Sequence, residues 1–166
     1  MTPGSDSHLP GVFISQAMKK AIVLLFSLVG LFSACRESER EDVLNAVLSV
    51  PCDAACIQTY MRENVYIDVD IKALARAICA GEEVDARLMA QAKVALYRYF
   101  SQVTVEGGHY RCEMSSGDGM ALSPRLFDAL QENLQEMNRS VDAMRRRDAT
   151  LQLPPVDSAY LQSLLR

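Results

Sequence analysis

The sequence predicts a mainly α-helical fold: a small helical bundle stapled by two disulfides, with a short β-hairpin around residues 103–114. Three observations predict it. From residue 43 onward, apolar residues mostly recur at three- and four-residue spacing, the period of an amphipathic helix. The period changes to two in Val103-Thr104-Val105-Glu106 and in His109-Tyr110-Arg111-Cys112-Glu113-Met114, on either side of Gly107-Gly108, the pattern of a hairpin with a two-glycine turn. Four cysteines, Cys52, Cys56, Cys79 and Cys112, follow an N-terminal apolar leader, and an even number in an exported chain reads as two disulfides.

Val43, Leu44, Val47 and Leu48 give the first helix its apolar face, and Pro51 ends it or opens the next. Residues 52–63 continue as a helix with Ala55, Cys56, Thr59 and Tyr60 turned inward. Val65–Ile71 alternates apolar and polar, as a strand or as an extended linker ending in Asp70 as a helix cap. Ile71, Leu74, Ala75 and Ile78 form the next helical face, which Gly81 stops. Asp85 caps a helix that buries Leu88, Ala92, Ala95, Leu96 and Tyr99. Ser115–Gly119 is a loop, and Ser123-Pro124 starts a long helix, with serine as cap and proline in the first turn. Along it Phe127, Leu130, Leu134, Met137, Val141 and Met144 form a seam of nearly three heptads. The seam faces the domain's own core or a partner. Pro154-Pro155 ends this region, and residues 156–166 add a short C-terminal helix.

The chain has 166 residues, 49% apolar and 23% charged, with net charge −4. That size and balance suit one globular domain and exclude wholesale disorder. The acidic balance argues against a nucleic-acid binder, which needs a basic face. His8 and His109 are the only histidines, which limits acid–base and metal chemistry.

Lys19-Lys20 precede a 12-residue apolar run, Ala21–Phe32. A membrane-spanning helix needs about 20 residues, so the run fits the hydrophobic region of a secretory signal. Residues 1–17 carry no positive charge and contain Pro3, Gly4, Pro10 and Gly11, whereas Met18-Lys19-Lys20 begins as such a signal does. Residues 1–17 are therefore expected to be an upstream extension outside the translated product, and residues 18–34 the signal. Leu31-Phe32-Ser33-Ala34-Cys35 resembles the lipobox of bacterial lipoproteins, with Phe32 where that family usually has leucine. The resemblance covers residues 18–35. It implies cleavage before Cys35, acylation of Cys35 (palmitate among the chains), and a lipidated tether over residues 35–42 ahead of a periplasmic helical domain, 43–166. Multiple acyl chains anchor stably where one binds marginally. In the family, Asp after the cysteine retains the protein at the inner membrane. Arg36 stands there, which implies the outer membrane, facing the periplasm.

The four remaining cysteines allow three pairings. Cys52 with Cys56 is disfavoured if both sit on one helix, where their Cβ vectors run side by side. If residues 52–64 and 70–80 are antiparallel helices turning near Asn64 and Asp70, facing positions sum to about 134. Cys79 then faces position 55, which favours Cys56–Cys79 and leaves Cys52–Cys112.

Catalytic machinery is sparse. No Gly-x-Ser-x-Gly elbow or glycine-rich phosphate loop is present, and a Cys112 thiol held in a disulfide cannot serve as a nucleophile for His109. Asp128, Glu132 and Glu136 lie off the apolar seam and read as a solvated face, and Asp68-x-Asp70 reads as capping. Arg145-Arg146-Arg147 offsets the dipole of the long helix or meets an acidic partner or anionic lipid. Cys52-x3-Cys56 resembles the paired cysteines of periplasmic copper-delivery proteins, and His109, Cys112 and Met114 add soft or borderline ligands. Those proteins carry the motif in a thioredoxin-like domain, whose strand–helix alternation is missing here.

The sequence therefore favours a non-catalytic, protein-binding lipoprotein without a cofactor. It is pilotin-like in type: an accessory of an envelope or secretion system that clasps a peptide segment in a groove between helices. A periplasmic immunity protein that plugs a toxin's active site is the alternative, and a copper-binding periplasmic protein a further one. The seam residues Phe127, Leu130, Leu134, Met137, Val141 and Met144 are the candidate partner face.

Overall fold

The computed structural model describes residues 42–62 and 64–166. The lipobox-like run, Cys35 and the rest of residues 1–41 lie outside them. The described chain is mainly helical with one two-stranded sheet. In order it forms α1 (Asp42–Ser49), α2 (Ala54–Arg62), α3 (Ile71–Cys79), α4 (Ala86–Phe100), β1 (Val103–Glu106), β2 (His109–Cys112), a 3-10 turn (Asp118–Met120), α5 (Pro124–Arg145) and α6 (Ser158–Ser163). Among the described residues, no helix is long and apolar enough to cross a membrane.

Local chemistry sets the helix starts. The Asp70 carboxylate accepts from the Ala73 N–H at 3.0 Å, Asp85 from Arg87 at 2.7 Å and Ser123 Oγ from Leu126 at 3.2 Å, each satisfying a donor that the first helical turn leaves open. Pro124 follows Ser123, at a position where its missing N–H costs nothing. Gly81, at φ +72°, closes the turn after α3 with an N–H to the Ile78 carbonyl at 3.0 Å.

The centre of the molecule is α4. Ala92, Val94, Ala95, Leu96 and Tyr99 are fully buried. α1 packs on α3, α2 packs on α4, and α5 packs on β2. Tyr99 meets Phe100 and Phe127 edge-to-face, at centroid distances of 5.6 and 6.0 Å, and Phe100 meets Tyr160 of α6 at 5.8 Å. The Arg98 guanidinium ties three separate segments together. It donates to the carbonyls of Tyr60 at 2.9 Å, Val65 at 2.8 Å and Met120 at 3.2 Å.

Several expectations are corrected. The expected inward face of α2 is shifted: Ala55 and Thr59 are exposed, and Ile57 is the buried residue, with Cys56 and Tyr60 half-buried. Leu88 is 42% exposed. Of the two readings of the segment before α3, the extended linker ending in the Asp70 cap holds and the strand does not: among the described residues its one ladder contact is a parallel bridge from Ile67 to Leu122.

The two disulfides are absent: Cys52, Cys56, Cys79 and Cys112 are all free thiols. The reason is helix pairing. Residues 52–64 do not turn back on 70–80; α2 lies on α4, and α3 takes α1 instead. Cys52 sits against the Ala86 carbonyl, with its sulfur 3.8 Å away, and Cys112 lies beside the Tyr99 hydroxyl. Ala86 and Tyr99 are about 20 Å apart along α4 at 1.5 Å per residue, so the Cys52–Cys112 bridge has its partners at opposite ends of that helix.

Candidate functional site

The hairpin carries the most distinctive surface. Its register pairs Val103 with Cys112, Thr104 with Arg111, Val105 with Tyr110 and Glu106 with His109. Gly107 and Gly108, at φ +56° and +80°, form the turn. A Cβ on Gly108 would collide with the Arg145 guanidinium, which rests on the turn from the end of α5. His109 Nε2 lies 2.8 Å from Asp142 Oδ1, a second link between the turn and α5.

The Asn138 carboxamide of α5 treats β2 as a neighbouring strand would. Its Oδ1 accepts from the Tyr110 N–H at 2.9 Å, and its Nδ2 donates to the Tyr110 carbonyl at 2.8 Å. These groups must therefore point away from β1. Peptide groups alternate sides along a strand, so Cys112, two residues on, also turns its N–H and carbonyl outward. They face a groove of about 350 Å³ between β2 and α5. Glu106, Tyr110, Arg111, Cys112 and Glu113 line one wall, and Gln131, Leu134, Gln135 and Asn138 the other. The groove thus sets an unpaired strand edge against three carboxamides on one helix.

The Tyr110 hydroxyl donates to the Pro154 carbonyl at 3.2 Å, and burial pushes its pKa up to about 12. The Tyr99 hydroxyl is buried beside the Cys112 thiol without a hydrogen-bond partner, and burial raises its pKa strongly.

The α5 seam occupies a different position from a partner face. Phe127, Leu130, Leu134 and Val141 are at most 5% exposed, and Met137 and Met144 are half-buried against the same core. Of the two readings of the seam, the core is the one the burial supports, which corrects its assignment as the candidate partner face: α5 spends its apolar stripe on its own domain. Only Leu134 also reaches the groove. Asp128 and Glu132 on the neighbouring face are exposed, with Glu132 paired to Lys72 at 2.6 Å, and Glu136 is paired to Arg139 at 2.6 Å.

The soft-ligand set is split between two places. Cys52 and Cys56 lie at the start of α2, near the Ala86 end of α4, while His109, Cys112 and Met114 belong to the hairpin and the loop after it. Among the described residues no group of three His, Cys, Asp or Glu side chains is placed to hold a metal. Burial raises the pKa of both Cys52 and Cys56, which keeps them as thiols rather than thiolates at neutral pH. The fully buried Lys93 lies close to Cys52 and donates to the main-chain carbonyl of Arg166; burial lowers its pKa, and Cys52 acts in the opposite direction.

No family model matches the chain, and neither the curated proteins nor the solved structures contain a match to it.

Proposed function

We propose that this chain is a lipid-anchored periplasmic lipoprotein, held at the outer membrane through Cys35, that acts as a non-catalytic adaptor for an envelope or secretion system. It takes an extended segment of its partner in the groove between β2 and α5. The observation that carries this reading is the outward N–H and carbonyl of Cys112, facing a groove walled by Gln131, Gln135 and Asn138. An extended peptide supplies the acceptor and donor that a strand edge lacks. The carboxamides opposite can bond the peptide's other edge, as Asn138 already does for Tyr110. The lipobox-like run ending at Cys35 supplies the anchor.

The test is a comparison of affinity-tagged chains recovered from cells. Gln135→Arg fills the groove with a charged side chain and leaves the core untouched. One protein should co-purify with the unmodified chain and be lost with Gln135→Arg, and it should be a secretion-apparatus subunit. A secreted toxin as the lost protein would instead establish the immunity reading. Equal recovery by both chains would defeat the groove assignment. Labelling with a clickable palmitate analogue should mark the unmodified chain and not Cys35→Ser.

A further inference from the structure

Tyr99 carries a polar atom that nothing in the core answers. The side chain is fully buried on α4, held edge-on by Phe100 and Phe127, and its hydroxyl has no hydrogen-bond partner. Buried polar groups are nearly always paired, because one left unpaired is destabilising. The Cys112 thiol lies beside this hydroxyl. Side chains alternate along β2, so Cys112 shares the inward side of Tyr110, which is buried in the core. A thiol sulfur is only a weak acceptor. Cys112 is half-buried and also lines the groove, which gives a small solute a way to its sulfur. Burial raises the Tyr99 pKa strongly, so at neutral pH the phenol keeps its proton and serves as a donor.

We propose that Cys112 is a modification site for hydrogen peroxide, held as a sulfenic acid whose oxygen accepts from the Tyr99 hydroxyl. The sulfur attacks one peroxide oxygen, so an S–O bond forms and the O–O bond breaks. The departing oxygen takes the thiol proton and leaves as water. Sulfur loses two electrons and peroxide gains them. A sulfenic acid is commonly consumed by condensing with a second thiol, and the fold keeps one away. Cys52 sits against Ala86, about 20 Å from Tyr99 along α4 at 1.5 Å per residue, and Cys56 is one helical turn from Cys52. Neither can close a disulfide with Cys112. Cys79, by contrast, is exposed at the end of α3 and open to thiols in solution. The site stands on this geometry and not on what occupies the groove.

The test uses the full chain in neutral detergent. Brief treatment with hydrogen peroxide is stopped with catalase, dimedone is added after increasing delays, and peptide mass spectrometry reads the adduct at each cysteine. The sulfenic acid at Cys112 should outlast that at Cys79 by about fivefold, the factor of one ordinary hydrogen bond. Tyr99→Phe removes the donor and keeps the ring. It should shorten the Cys112 lifetime by about the same factor, leave that of Cys79 unchanged, and leave the melting temperature equal or higher. A Tyr99 with a structural role alone would move the melting temperature and not the lifetime. No adduct at Cys112, passage straight to the sulfinic acid, a lifetime no longer than at Cys79, or an unchanged Cys112 lifetime in a folded Tyr99→Phe chain would each overturn the proposal. If Tyr99→Phe does not fold, the comparison of Cys112 with Cys79 in the unmodified chain decides it.

Discussion

Leu130 and Gln131 are neighbours on α5 and face different surroundings. Leu130 is 2% exposed in the core, whereas Gln131 lines the groove beside β2. The seam has the regularity usually associated with recognition, yet its stripe is covered by the chain's own aromatic core, with Phe127 on Tyr99. The groove has no regular pattern and offers unsatisfied backbone. In a domain this small, an apolar stripe is needed for the core, because little other surface is available to bury. Under the proposed function, partner recognition then falls to polar side chains placed beside a strand edge.

This contrast can be broken most forcefully at Leu130. Leu130→Ala should cost about 2–5 kcal/mol, the range for a leucine truncated inside a packed core. Gln131→Ala should stay within about 0.5 kcal/mol, as for other surface changes; thermal denaturation followed by circular dichroism compares the two. Arg98→Met comes next. It leaves the carbonyls of Tyr60, Val65 and Met120 without their donor and should cost about 3 kcal/mol, a sum of charged hydrogen bonds offset by partial rehydration. Urea titration measures it, and Arg98→Lys should recover only part, since an ammonium lacks the fork that reaches three acceptors.

Asn138→Ala sharpens the comparison from the groove side. It frees the Tyr110 N–H and carbonyl, should cost about 1–2 kcal/mol, and should speed hydrogen exchange at the Tyr110 amide while the α5 core amides stay protected. A smaller destabilisation is expected at Asp70. The Ala73 N–H, helped by Arg125, holds its carboxyl below the usual carboxylate range against the opposing effect of burial. A depressed acid contributes stability that is complete above its unfolded pKa of about 3.9 and is lost as pH falls through the lower folded value. Asp70→Ala should remove about 1 kcal/mol at neutral pH, and its stability curve should converge on that of the unmodified chain in strong acid.

What the sequence made legible was local. Asp70, Asp85 and Ser123-Pro124 announce helix starts because a cap is a contact across two or three residues. Gly107-Gly108 announces the hairpin because only a tight turn requires two successive positive φ values there. What stayed hidden depends on which elements meet. The groove exists because Asn138 reaches Tyr110, 28 residues away, and no spacing rule marks that asparagine among other polar residues. The disulfide expectation failed on the same point, since α2 pairs with α4 rather than α3. No local signal marks Lys93 as buried; its place in the core depends on the Arg166 carbonyl, which follows α6 and accepts from its ammonium. The inward face of α2 centres on Ile57, with Ala55 and Thr59 exposed.

The central claim is that the groove between β2 and α5, and not the apolar seam, receives the partner. Site-specific photo-crosslinking in intact cells tests it most directly, with benzoylphenylalanine placed at Gln135 in the groove and at Gln58 on the exposed face of α2. A single discrete adduct from Gln135, with none from Gln58, is the predicted result. No adduct from Gln135, or the same adducts from both positions, would contradict it.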